Sequence, residues 1–139
     1  MEFHSPTLKD REWVLSAFNF GQTDCCEYCF GNIFMWSDIY ENKIYNDNGI
    51  FVSADFTDEP VFCYPIGDGD KKATIEKLIE FSKGLGVNLE FFGMIEKDRD
   101  ELQFLFPKQF EITEERDYFD YLYTSESLAT LVGRKLASK

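Results

Sequence analysis

The sequence has 139 residues and a mass of 16.3 kDa, a length that corresponds to one domain. Hydrophobic residues make up 44% of it and aromatic residues 17%, which is enough apolar surface for a core and excludes an intrinsically disordered chain. There are 26 acidic and 14 basic residues, so the net charge is −12. This charge argues against a broad basic surface for nucleic acid and against adhesion to an anionic membrane.

The first part of the chain predicts two helices. Thr7 can cap a helix over about 7–19, and Asp10 lies three residues further on, as in a capping box. A second, short helix is predicted over 25–33, because apolar residues recur there at helical spacing.

An antiparallel meander of three strands is predicted next. Residues 38–45 are rich in Ile and Tyr. The sequence at 46–49, Asn-Asp-Asn-Gly, is typical of a hairpin turn, because Asn and Gly tolerate a positive φ. The return strand covers 49–54, and a third strand covers 61–64.

The rest of the chain alternates between helices and strands. A loop at 66–70 precedes a helix that is expected to end at Gly84 and Gly86. The elements predicted after that loop are, in chain order, helix 71–83, strand 87–94, helix 97–105, strands 110–113 and 117–123, and a helix that starts near Ser125. The expected fold class is α+β, with a mixed sheet, an antiparallel meander and flanking helices in one domain over 1–139.

The cysteines are predicted to be reduced and buried as small apolar side chains: Cys25, Cys26, Cys29 and Cys63. Because two of them form a CxxC pair, a metal or redox site is the alternative. Zinc needs a second pair of ligands, however, and only one more cysteine and His4 remain. Neither a targeting segment nor an apolar run of membrane-spanning length is visible, so a cytoplasmic protein without membrane insertion is expected.

The loop at 66–70 is the one place where the sequence suggests a cofactor. Gly67 and Gly69 precede Lys71 at a loop-to-helix junction, where backbone N–H groups can cradle a phosphate. The same loop carries Asp68 and Asp70, whose charges oppose phosphate binding. The pattern favours a turn with a helix N-cap, and the two glycines and the lysine are weak cofactor-binding candidates.

The last residues, GRKLASK, are basic in an otherwise acidic chain. One interpretation is that these cations interact with the C-terminal end of a helix dipole. The other is that the natural chain continues into a further basic segment, and this is favoured because no Gly or Pro stop follows the helix pattern. We therefore expect residues 1–139 to be part of a longer protein.

Two parts of the sequence resemble a bacterial family. The first is CEYCFGNIFMW at 26–36, and the second is RDYFDYLY at 116–123 followed by LATLVGRKL at 128–136. They resemble cytosolic proteins related to the C-terminal domain of phosphatidylglycerol lysyltransferase. The resemblance extends over nearly the whole sequence.

The resemblance implies a GNAT-like (acetyltransferase-like) fold. That family's chains are much longer and hold two such folds in tandem, so this chain would be the N-terminal half. Acyl or aminoacyl transfer is implied for the whole protein, with the C-terminal half and charged tRNA as partners. No cofactor is expected in the N-terminal half, and the acyl or aminoacyl donor stays open.

Several residues are candidates for an inter-domain or substrate cleft. The aromatic residues along 117–123 suit either core packing or a docking surface for the missing half. The cations near the end are either solvated or available to a phosphate of tRNA or lipid. The full set is Trp36, Arg116, Tyr118, Tyr121, Tyr123, Arg134 and Lys135. No catalytic residue and no metal ligand are assigned.

Three functions remain in competition. The favoured one is an N-terminal GNAT-like half that shapes an inter-domain cleft and does little chemistry itself. The second is a non-enzymatic acidic interaction domain or homodimer. The third is a stand-alone acetyltransferase, which requires a competent phosphate loop.

Overall fold

A mixed β-sheet between helices is the main feature of the computed structural model, which describes residues 1–21, 25–119, 121 and 123–130, without the side chain of Tyr118. The described helices are α1 (Arg11–Gly21), α2 (Phe30–Trp36), α3 (Lys71–Leu85), α4 (Glu96–Leu105) and α5 (Ser125–Thr130). The described strands are β1 (Lys43–Asp47), β2 (Ile50–Asp55), β3 (Val61–Cys63), β4 (Ile66–Gly67) and β5 (Glu90–Phe92). The predicted α+β class with a mixed sheet and flanking helices is confirmed.

The predicted meander forms, with the central strand β2 antiparallel to both β1 and β3. Its hairpin turns at Asn48 and Gly49, whose φ angles of 53° and 93° are the positive values that a two-residue turn needs. The Gly49 amide donates to the Asn46 side chain at 2.9 Å, which holds the turn closed.

A β-bulge separates β3 from β4. Phe62 pairs with Ala54 and Ile66 pairs with Phe51. Between these two pairs, the three residues 63–65 lie opposite the two residues 52–53 of β2, so the first strand has one extra residue. Pro65 lies in the bulge, where its missing N–H costs no ladder hydrogen bond. The predicted loop at 66–70 is therefore partly wrong, because its first two residues continue the strand beside β2.

Helix α3 joins β3 and β4 to β5, which lies parallel to β3. Asp70 caps its start by accepting from the Ala73 amide at 3.0 Å, which confirms the predicted N-cap. Its end is at Gly86, which has φ 80° and donates its N–H to the Lys83 carbonyl. Gly84 lies inside the helix rather than at its stop.

The two faces of the sheet carry different parts of the core. On β2, Phe51 packs with side chains of α1 and α2, whereas Ile50 and Val52 pack with Leu78 of α3. This alternation follows from the two-residue period of a strand. A third cluster joins α3 to α4 through Tyr64, Ile75, Leu102 and Phe106.

Two predicted elements near the start of the sheet need correction. The helix predicted over 25–33 is broken at Cys29, which has extended backbone angles, and α2 begins one residue later. The strand predicted over 38–45 is wrong in its first part, because the amides of Ile39 and Tyr40 donate to the Trp36 carbonyl and form a turn. The strand begins only at Lys43.

The strands predicted over 110–113 and 117–123 are wrong in the described part of that region. Phe110 packs against the third core cluster, and the only regular structure that follows before α5 in the described residues is a short 3-10 turn at Arg116–Tyr118. Alternating apolar residues favour a strand, but a strand forms only beside a partner. Residues 120 and 122 lie outside the described residues.

Ser82 gives a first prediction on stability. Its hydroxyl is fully buried in α3 and has no hydrogen-bond partner among the described residues. Ser82→Ala should raise the free energy of unfolding by up to about 1 kcal/mol, measured by denaturant unfolding. The matched control is Thr74→Ala, which removes an equally buried hydroxyl that donates to Asp47 at 2.8 Å and should lower stability by about 1–2 kcal/mol. Equal effects of the two variants would contradict this explanation.

Candidate functional site

The sheet forks where β3 ends. β3 pairs with β2 on one side and with β5 on the other, as far as Cys63 and Phe92. After the bulge the chain continues as β4, which pairs with β2 and no longer with β5. A cleft of about 380 Å³ lies here, lined by β4, the start of α3, α4 and the end of α1. In sheets with parallel strands, ligands bind beyond the carboxyl ends of those strands. We therefore take this opening, the fork cleft, as the candidate functional site.

A polar cluster lies at the wall of the fork cleft, where Lys71 and Glu101 line the opening and Tyr64 is buried beside them. The Lys71 ammonium bonds to a Glu101 carboxylate oxygen at 2.5 Å and lies 5.1 Å from the centre of the Tyr64 ring. The Tyr64 hydroxyl donates to the same carboxylate at 3.2 Å, and its backbone carbonyl accepts from the buried Tyr28 hydroxyl at 2.8 Å. Burial and the nearby Glu101 charge raise the pKa of the Tyr64 phenol. The cluster thus holds a neutral phenol beside an ion pair.

Asp98 lines the fork cleft, and its carboxyl has a different pKa from that of a surface carboxylate. It lies in the first turn of α4, half-buried. Burial raises the pKa of its carboxyl, although the nearby Lys71 charge opposes that change. A carboxyl of this kind can exchange a proton with a bound molecule at a higher pH than an exposed aspartate.

The start of α3 is satisfied by the chain itself. The Asp70 side chain accepts from the Ala73 amide, and its carbonyl accepts from the Thr74 amide at 3.0 Å. A carboxylate therefore occupies the end of the helix where a phosphate would bind. Lys71, the basic candidate of this loop, is already held by Glu101.

The two glycines of the loop are required by close packing. Gly67 has φ 144°, and a Cβ there would lie 2.1 Å from the Gly49 carbonyl oxygen. A Cβ on Gly69 would lie 2.8 Å from the Ile50 side chain. Both positions keep the loop against the β1–β2 hairpin, which explains the glycines without a ligand.

Among the other predicted site residues, those whose side chains the structure describes do not line the fork cleft. Trp36 is at the end of α2 and is 47% exposed, with its ring 6.0 Å from that of Tyr40. Arg116 is exposed in the 3-10 turn, whose backbone also includes Tyr118. Tyr121 and Tyr123 are exposed as well. Arg134 and Lys135 lie outside the described residues.

Sequence reasoning missed Tyr64, Asp98 and Glu101. The spacing of the two carboxylates, three residues apart, was a signal that they share one face of a helix. Nothing local showed that this face meets the end of β3, because that depends on the parallel pairing with β5.

The predicted burial of the cysteines is wrong for two of them. Cys26 and Cys29 are exposed, because the chain is extended at Cys29 instead of continuing one helix. Cys25 and Cys63 are partly buried, and burial raises the pKa of the Cys63 thiol to about 12, which makes it unreactive. Among the described residues, no group of three or more His, Cys, Asp or Glu side chains is placed to hold a metal ion.

No helix in the described part of the chain has the length and apolar character needed to cross a membrane. No curated protein sequence matches the chain. A crystal structure from Bacteroides thetaiotaomicron, described as a conserved protein of unknown function, is similar over 99% of this chain with 31% sequence identity and a TM-score of 0.85. The chain spans 47% of that protein.

The family described as phosphatidylglycerol lysyltransferase, C-terminal, matches residues 18–139. The match includes both segments that carry the resemblance seen in the sequence, and it contains the five described strands and the fork cleft. The chain therefore belongs to the phosphatidylglycerol lysyltransferase C-terminal family.

Proposed function

We propose that this chain is the N-terminal, GNAT-like half of a two-domain acyl- or aminoacyl-transferase-related protein, and that it shapes the cleft between the halves. The sheet supports a GNAT-like fold, because an antiparallel meander leads through α3 into the parallel strand β5. The sheet forks between β4, which pairs with β2, and β5, which pairs with β3. The family's printed description names a lysyltransferase, which supports the class of reaction.

The observation that carries this proposal is the exposure of apolar side chains among the described residues of the segment at 111–130. The segment holds large apolar side chains that are between 41% and 85% exposed, namely Ile112, Phe119, Tyr121, Tyr123 and Leu128. None of them belongs to the three core clusters. Such side chains cost free energy in water, so the segment is suited to pack on a second surface.

The structural relative supports the same conclusion. This chain accounts for 47% of the relative, so more than half of that protein lies outside the matching region. A second unit of similar size is the surface on which the segment at 111–130 would pack. Because the start of α3 is occupied by Asp70, we assign the binding of the acyl donor to that second unit.

The experiment that tests the proposal uses the protein as its native host makes it. Its intact mass should be about twice 16.3 kDa. In hydroxyl-radical footprinting, Tyr121 should be modified much less in this protein than in a protein of residues 1–139. Phe104 on α4, which is 83% exposed, is the control for overall exposure. A native mass of 16.3 kDa, or equal modification of Tyr121 in both proteins, would contradict the proposal.

A titration with acetyl-CoA separates this proposal from a stand-alone acetyltransferase. Residues 1–139 should give no saturable heat in calorimetry, because Asp70 occupies the start of α3 and Asp68 adds a second negative charge to the loop. The Asp70→Ser variant keeps a capping side chain without its charge and serves as the comparison. Saturable heat with the unmodified protein would favour the acetyltransferase.

A further inference from the structure

A second apolar surface lies far from the segment at 111–130 in the sequence. Five large apolar side chains occur within seven residues at the end of α2 and in the turn that follows. We call this surface the aromatic patch; it consists of Phe34, Met35, Trp36, Ile39 and Tyr40, which are between 37% and 73% exposed.

The fold explains why these side chains point outward. Helix α2 buries Phe30 and Ile33 in the core, and Phe34 stacks on the Phe30 ring at the edge of that side. Met35 and Trp36 are left on the outer part of this short helix, which faces solvent. A helix of this kind usually carries polar residues on its outer side. Here the turn at Trp36, closed by the Ile39 and Tyr40 amides, adds two more apolar side chains to that side. The rings of Trp36 and Tyr40 lie 6.0 Å apart and so connect the helix to the turn. Exposed apolar side chains grouped in this way mark an interaction site.

The charges around the patch indicate what kind of surface covers it. Asp38 and Glu41 lie within the same turn and are exposed, and the chain has a net charge of −12. Two copies of this chain would bring these like charges together, which opposes a homodimer through this face. A partner with an apolar centre and a rim of Lys and Arg residues would complement it.

We propose that the aromatic patch is a docking surface for such a basic-rimmed apolar face on the C-terminal half of the longer protein. This inference rests on the proposed function, since it needs the second half to exist. It adds a separate claim, which is that α2 takes part in the contact between the halves in addition to the segment at 111–130. Trp36 then acts as an aromatic anchor of that contact rather than as a residue of the fork cleft.

Footprinting at Met35 tests the claim, because this side chain is 73% exposed and its sulfur oxidises readily. Oxidation of Met35 should be about tenfold slower in the native-length protein than in residues 1–139, because the core of an interface excludes water. Phe104 is again the exposed control and should be modified equally in both.

The outcomes separate this inference from the proposed function. If Tyr121 is protected in the native-length protein and Met35 is not, the two-domain proposal stands and the docking role of the patch is wrong. A native mass of 16.3 kDa overturns both. Protection of Met35 that depends on protein concentration would show a homodimer instead and overturn the inference.

A pair of variants tests the same surface by a different route. Met35→Glu places a carboxylate in the centre of the patch, and Phe104→Glu makes the same change on α4. In residues 1–139, both variants should unfold at nearly the same temperature as the unmodified protein, because both side chains are exposed. In the native-length protein, Met35→Glu alone should restore modification of Trp36 to the level seen in residues 1–139. Continued protection of Trp36 in that variant would overturn the inference.

Discussion

Replacing Asp47 with alanine should lower the free energy of unfolding by about 3 kcal/mol. Asp47 is 4% exposed and accepts from the Lys77 ammonium at 2.7 and 2.8 Å and from the Thr74 hydroxyl at 2.8 Å. These bonds tie the last residue of β1 to α3. The variant leaves the buried Thr74 hydroxyl without its acceptor, which adds a desolvation cost to the lost ion pair. Denaturant unfolding measures the loss.

The exposed pair Glu80–Lys83 on the same helix is the matched control. Both side chains are more than 60% exposed, and the nitrogen and oxygen lie 3.2 Å apart. Glu80→Ala should leave the stability almost unchanged, because exposed ion pairs contribute little. A loss for Asp47→Ala no larger than that for Glu80→Ala would refute the role given to the buried carboxylate.

The Asp47 carboxylate makes the free energy of unfolding depend on pH in the acidic range. Burial alone would raise the pKa of Asp47, but the hydrogen bond and charge of Lys77 outweigh it and lower the pKa below its usual value of 3.8. Burial is outweighed at Asp10 too, where hydrogen bonds from Trp13 and Thr7 lower the pKa to about 2. A carboxyl with a lowered pKa contributes stability that is present above pH 4 and lost toward pH 2. Asp47→Asn should flatten this part of the stability curve.

Gly67→Ala is expected to have an effect of similar size, about 3 kcal/mol of lost stability. The backbone at Gly67 has φ 144°, which only glycine adopts without strain, and the new Cβ would meet the Gly49 carbonyl oxygen at 2.1 Å. Neither group can move without shifting β4 away from the hairpin turn. Thermal and denaturant unfolding of the variant in the absence of any ligand measure the loss.

Gly84→Ala is the control for this prediction. Gly84 lies within α3, and a Cβ there would have no heavy atom within 4 Å. Alanine should therefore stabilise the helix by about 0.5–1 kcal/mol. If Gly67→Ala were as stable as the unmodified protein, the packing explanation for this glycine would be wrong, and a ligand-binding role would gain weight.

Local chemistry made several elements predictable. Asn48 and Gly49 form their turn because both tolerate positive φ, and Asp70 caps α3 because its carboxylate reaches an amide three residues on. These interactions join residues that are close in the chain, so the sequence pattern contains all the partners. The bounds of α3 and α4 were predicted to within two residues for the same reason.

The errors arose where a partner was distant in the chain. The alternating residues at 117–123 predict a strand, yet the described part of that segment has no neighbour to pair with. Cys26 and Cys29 fit the apolar face of one helix, but the chain breaks between them, and the neighbouring Tyr28 hydroxyl instead bonds to the distant Tyr64 carbonyl. In both cases the local pattern was real, and a tertiary contact or its absence decided the outcome.

By itself, the sequence determined the α+β class, the hairpin, the capped helices and the family, since each of these depends on composition, local hydrogen bonds or short sequence segments. Only the tertiary structure decided the fork cleft and its residues. The one-residue bulge at Pro65 moves β4 away from β5, and the parallel pairing of β3 with β5 brings Glu101 to Lys71 across 30 positions. Register and bulges depend on which strands meet, and that follows from the packing of the whole core.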